Sequence, residues 1–138
     1  MNNKKLTYYL QQSDIMYLAT CSDGKPHVRC MAMIYFDNTI WCCSKTNRVK
    51  VQEIKVNRSI EICVLVEDKN DLGSIRGSGE AILITNSKTR RLLSEQIPFF
   101  KNYWESPDDD DFTLIKLEIS QFMFHDPDSK QFYSISAK

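Results

Sequence analysis

Residues 41–57 read WCCSKTNRVKVQEIKVN, and the chain changes character twice within them. The stretch opens on the apolar end of a strand over residues 39–44, since Ile40, Trp41, Cys42 and Cys43 follow one another without a break. It then turns polar and cationic at Lys45, Arg48 and Lys50. From there the spacing of Val51, Ile54 and Val56 predicts a short helix within residues 46–57, with Thr46 or Asn47 as its N-cap. A second apolar strand follows over residues 60–66, in which Ile60, Ile62, Val64 and Val66 alternate with Glu61, Cys63 and Leu65.

Working outward toward the N-terminus, residues 28–36 (VRCMAMIYF) form a strand. Val28, Cys30, Ala32, Ile34 and Phe36 lie on one face, and Arg29, Met31, Met33 and Tyr35 on the other. Both faces carry apolar side chains, so both are expected to be covered. The turn signal SDGKP at residues 22–26 joins this strand to another over residues 15–21 as a hairpin, and Asp37-Asn38 leads on into residues 39–44. A three-stranded meander is the expectation. Before it, Leu6, Tyr9 and Leu10 make a helical stripe over residues 4–12, a lid or packing helix.

Toward the C-terminus, the polar residues 67–73 turn the chain into a strand over 74–85, completing a second hairpin. There Gly77 and Gly79 share a face with Ile75 and Ala81, where barrel curvature explains glycine best. A helix over 87–96, an aromatic segment over 98–104, an acidic run over 108–111 and strands over 112–119 and 121–125 follow, closed by Asp126-Pro127-Asp128. With six strands, short flanking helices and no βαβ rhythm, the fold class is mainly β with some α: an antiparallel closed or split barrel.

The bulk properties narrow the function. The 138 residues suit one domain over residues 1–138, with 42% hydrophobic and 26% charged residues. Eighteen Lys plus Arg balance eighteen Asp plus Glu, so no global field draws the chain to nucleic acid or an anionic membrane. No apolar run is long enough to span a bilayer, and the opening MNNKKLTYYLQQ lacks the apolar core of a signal sequence, so the expected location is cytoplasmic. Five cysteines without a C-x-x-C spacing read as reduced packing residues, and consecutive acids at 108–111 read as a solvated turn, so no metal site is expected.

Local charge is more informative than net charge. Lys45, Arg48 and Lys50 cluster at the amino end of a helix, where the macrodipole is already positive. With exposed backbone N–H groups and the hydroxyls of Ser44 and Thr46, they would make a cradle for a phosphate; solvated surface cations are the alternative. Arg29 and Arg76 each sit in an apolar strand and need a partner, either a ligand phosphate or a carboxylate.

In order and spacing, VRCMAMIYF (28–36), WCCSKTNRVKVQEIKVN (41–57) and SIRGSGEA (74–81) resemble successive signatures of the pyridoxamine 5'-phosphate oxidase-like, FMN-binding split-barrel superfamily, notably its small general-stress-protein-like members. The resemblance covers about residues 10–125. It implies a six-stranded Greek-key split barrel that forms a homodimer, with FMN bound in clefts between the subunits. Lys50 matches the family's phosphate-binding lysine and Arg29 its arginine on the preceding strand. Cys43, Ser44 and Thr46 fall where strand-end residues meet the phosphate or flank the flavin, and Met31 and Met33 where residues lie along the ring. Arg48 and Arg76 complete the cationic set, and Trp104, with Tyr103 or Phe99, would cover the ring, from the same subunit or its partner.

Two departures bear on activity. Ile34 stands where the oxidase has a second basic residue, and the chain ends FYSISAK without the oxidase's Arg-x-His motif. Oxidation of pyridoxamine phosphate itself is therefore not expected. The resemblance implies instead an FMN-dependent oxidoreductase acting on a small-molecule redox substrate. The alternatives are a non-enzymatic flavin-binding or sensing module, and a haem-binding split-barrel protein with His27 or His125 as axial ligand.

Overall fold

Two long strands, β6 (Asp71–Ile84) and β7 (Phe112–His125), organise the computed structural model, which describes residues 2–137. They pair antiparallel along most of their length, from Ser74 opposite His125 to Ile84 opposite Leu114. The remaining elements are α1 (Asn2–Gln12), β1 (Ile15–Ser22), β2 (Lys25–Ala32), β3 (Ile34–Phe36), β4 (Thr39–Lys45), α2 (Val49–Val56), β5 (Ser59–Asp68), α3 (Ser87–Ser94), a 3-10 turn (Phe100–Asn102) and β8 (Phe132–Ser136). The strand order is β2-β1-β5-β6-β7-β4-β3, with β8 also pairing with β7. Every pairing is antiparallel, and the curled sheet with its short flanking helices is a split barrel.

Alternation explains which face of the sheet is filled. On β5 and β7, every second residue (Ile60, Ile62, Val64 and Val66; Phe122 and Phe124) is buried in one apolar core with Met16, Leu18 and Ile75. Helix α1 closes this core with Leu6 and Leu10, and Lys5 Nζ holds the helix down through a 2.7 Å ion pair to the buried Asp126. A second core gathers Trp41, Leu93, Phe100, Trp104, Phe112 and Leu114 beneath the aromatic segment, with Phe100 meeting Phe112 edge to face. Gly79 sits at a register shift between Ser78 and Gly79, where a Cβ would strike the Glu118 carbonyl oxygen. The close approach of β6 and β7 at the bend is what requires glycine there.

Several expectations need correction in detail. There are eight strands rather than six among the described residues. The run 28–36 is divided: β2 pairs with β1, β3 pairs with β4, and between them the Met33 N–H donates to the Asp14 carbonyl at 2.8 Å. The expected meander is thereby broken, since one run serves two partners at opposite ends of the sheet. Residues 112–125 form one strand, and residues 132–136, for which no strand was expected, return along it as β8. Helix α2 begins at Val49 with Arg48 as its N-cap and no capping side chain. Thr46 does not cap it, because its hydroxyl is engaged with Thr113 Oγ1 and the Asp110 carbonyl, each at 2.7 Å. Val56, expected inward, is 89% exposed because α2 ends beside it. The face of β2 carrying Val28, Cys30 and Ala32 is open, with Val28 69% exposed.

Candidate ligand groove

Three pieces of chain meet around a cavity of about 220 Å³: the end of β2 (Cys30, Met31, Ala32), the end of β4 with the turn into α2, and the aromatic segment. The β4 side supplies Cys43, Ser44 and Lys45, and the turn and helix supply Arg48 and Lys50. Phe99, Tyr103 and Trp104 line the opposite wall. A second cavity of about 460 Å³ adjoins it, sharing Ala32 and Phe99 and continuing past Met33, Ile34, Gln96 and Asp14. The two form one groove along the end of β2.

The cations are placed by the local fold. β4 pairs with β7 up to Lys45 opposite Phe112, and Lys45 Nζ reaches Asp111 at 3.0 Å. The chain then turns, and α2 starts with Arg48 at its N-cap and Lys50 in its first turn. Lys50 is half-buried and has no hydrogen bond or ion pair to a described residue. Burial lowers its proton affinity below the ordinary lysine value, and the nearby charges of Arg29 and Arg48 lower it further. The fold thus holds a partly desolvated ammonium with no anionic partner among the described residues, beside Arg48 and beside an Arg29 whose guanidinium is taken up by Glu53.

Behind the groove lies a closed polar cluster. Glu53, one helical turn after Lys50, is only 6% exposed, and its carboxylate accepts from Thr20 Oγ1 at 2.9 Å and Arg29 Nη2 at 3.0 Å. His27 Nδ1 meets the other oxygen at 2.5 Å. The hydrogen bond from His27 is the largest of the causes that hold Glu53 below its ordinary pKa. Arg29 also donates to Thr20 Oγ1 at 2.9 Å and to the Leu18 carbonyl at 3.2 Å. Its guanidinium is therefore built into the hairpin and stands near Lys50 as a neighbouring charge.

The sequence-predicted residues separate accordingly. Met31, Cys43, Ser44, Arg48, Lys50 and Trp104 come together around the first cavity, and Met33 lines the second. Arg29 lies behind the first cavity, and Thr46 faces the loop at residues 110–113. Arg76 is on the outer face of the sheet, paired with Glu61 at 2.7 Å, and lines neither cavity. Trp104 is largely a core residue: its Nε1 donates to the Asp111 carbonyl at 3.1 Å and its ring packs on Phe112. Burial raises the Cys43 thiol to about 12, so it stays protonated at neutral pH. Sequence reasoning missed Glu53, although a lone acid three residues after Lys50 in a basic helix is its visible signal.

The groove borders an open sheet face. Cys30 lies opposite Tyr17, Tyr17 opposite Cys63, Cys63 opposite Arg76 and Arg76 opposite Met123, so one row crosses five strands. Ile15, Tyr17, Val28, Leu65 and Met123 on this side are all exposed. Neither histidine lines the groove: His27 is held by Glu53, and His125 stacks on Phe132 with ring centroids 4.2 Å apart.

Comparison with known proteins agrees with this architecture. The family described as pyridoxamine 5'-phosphate oxidase matches residues 3–126. No curated protein is similar enough to the chain to be matched with it. The solved structure of General Stress Protein 26 from Bacillus anthracis superposes with a TM-score of 0.77 at 21% identity, over 97% of this chain and 98% of that one. A NimC/NimA family protein from Clostridium acetobutylicum gives 0.76 at 20% identity, over 98% and 94%. A heme binding protein from Mycobacterium smegmatis gives 0.79 at 12% identity, over 94% of this chain and 55% of that one.

Proposed function

The chain belongs to the pyridoxamine 5'-phosphate oxidase family, and on that premise we propose that it binds FMN in the groove and works as a flavin-dependent oxidoreductase. The observation that carries the reading is Lys50: a half-buried ammonium, its proton affinity lowered by burial and then by neighbouring cations and with no partner among the described residues, would be offset by a phosphate placed among Lys50, Arg48 and Lys45. Met31, Ala32 and the aromatic wall of Phe99, Tyr103 and Trp104 then suit the apolar body of the same molecule. When bound, FMN supplies the redox chemistry; the chain's residues hold the phosphate, orient the ring and limit water.

The first cavity alone is smaller than the roughly 300 Å³ typical of ligand sites, and two features supply the rest. The groove continues into the second cavity, and Cys30 at its edge belongs to the exposed row of the sheet. A homodimer formed over that row would cover exposed apolar side chains and close the groove at the subunit interface. The five free cysteines suit a cytoplasmic setting, and no helix among the described residues is long and apolar enough to cross a membrane. The haem reading has less support, because neither histidine faces the groove.

An absorption spectrum of the purified protein, with FMN and haem each titrated in, tests the assignment. Flavin bands saturating near one FMN per chain are expected. A Soret band with no flavin uptake would overturn it.

A further inference from the structure

The two halves of the groove differ in charge. Lys45, Arg48 and Lys50 line the first, whereas no Lys, Arg or His among the described residues lines the second. Among its described lining residues the only charged side chain is that of Asp14, whose carboxylate has no hydrogen bond or ion pair to a described residue. Gln11 and Gln96 add amide donors and acceptors, and Tyr35, Pro98 and the shared Phe99 add apolar surface over a floor formed by the buried Met33 and Ile34. Ile34, buried in the second core at the edge of this cavity, brings no cation to it.

Resting on the FMN reading, we propose that the second cavity is the substrate chamber and takes a flat aromatic molecule without negative charge, an aromatic amine or nitrogen heterocycle whose donors meet Asp14. An anionic substrate would bring a carboxylate or phosphate next to the Asp14 carboxylate with no cation to receive it. A flat ring packed on Phe99, Pro98 and Tyr35 buries apolar surface at no such cost. At about 460 Å³ the chamber accommodates a one- or two-ring molecule, and it opens onto the cofactor half through Ala32 and Phe99, so its occupant lies against whatever ring the first half holds. The same cationic anchor that binds the cofactor's phosphate therefore does not serve the substrate.

The test uses three probes of one shape: benzamidinium, benzamide and benzoate, titrated into FMN-loaded protein and followed by NMR. Benzamidinium is expected to bind about tenfold more tightly than benzoate, the sum of a modest attraction and a modest repulsion at an exposed carboxylate. Amide shifts should fall at Met33, Ile34 and Gln96. In Asp14→Asn the preference should shrink to within about twofold while FMN affinity stays the same, because the Asp14 carbonyl that anchors Met33 is unchanged. Benzoate binding as tightly as benzamidinium, or a preference that survives Asp14→Asn, would overturn the proposal. A parallel FMN titration separates the two readings: no FMN uptake defeats the cofactor assignment, whereas normal FMN uptake with benzoate preferred defeats this one.

Discussion

Lys50 and Glu53 lie one turn apart on α2, and both are shielded from water, yet the fold treats them in opposite ways. Glu53 is given Thr20, Arg29 and His27, and its pKa falls. Lys50 has no partner among the described residues, and burial, with two like charges behind it, lowers its pKa too, in the direction that disfavours its charge. A charge whose partners are all within the chain is structural; a charge held partly dry and unpaired is reserved for something that binds. On the function proposed above, Glu53 and Arg29 position α2 and Lys50 meets the ligand.

Substitutions on the two sides of this comparison should separate stability from binding. Glu53→Ala leaves Arg29 without its carboxylate and Thr20 with one partner fewer, so a loss of about 3 kcal/mol in chemical denaturation is expected. Lys50→Ala should do the reverse, costing FMN affinity about 1.5 to 3 kcal/mol, or tenfold to a hundredfold by titration, with stability unchanged or slightly raised. A Lys50→Ala protein that is destabilised but binds FMN normally would dissolve the comparison.

The pH dependence sharpens it. Because the pKa of Glu53 is depressed on folding, its contribution is fully present above the ordinary carboxylate range and is lost as pH falls through the folded value. Glu53→Gln should flatten that acid limb of the stability profile. Lys50, also depressed, should release its proton below the ordinary lysine value of 10.5, so FMN affinity is expected to decline with rising pH before free lysine would titrate. The smallest effect belongs to Arg76: its exposed pair with Glu61 contributes under about 1 kcal/mol, and Arg76→Ala should leave FMN binding intact.

Much of this was legible in the chain. Alternation gave β5 and β6, the turn residues gave the β1–β2, β3–β4 and β5–β6 hairpins, and residues 41–57 brought Ser44, Arg48 and Lys50 to one place, whereas β7 reads as two strands and β8 as none. What escaped were the choices made by tertiary partners. Residues 28–36 look like one strand because both halves alternate, and only the hydrogen bond from Met33 to Asp14 and the change of neighbour from β1 to β4 divide them. Arg29 and Arg76 look alike in sequence, each a cation in an apolar strand. Their fates depend on Glu53 and Glu61, residues 24 and 15 positions away that only the sheet and α2 bring near.

Comparing the binding of FMN with that of riboflavin, which has the same ring and ribityl chain but no phosphate, tests the central claim most directly. If Lys50 and its neighbours hold a phosphate, FMN should bind at least about tenfold more tightly, and Lys50→Ala should erase most of that advantage. Equal affinity for the two in the unaltered protein would contradict the assignment of these cations to the cofactor.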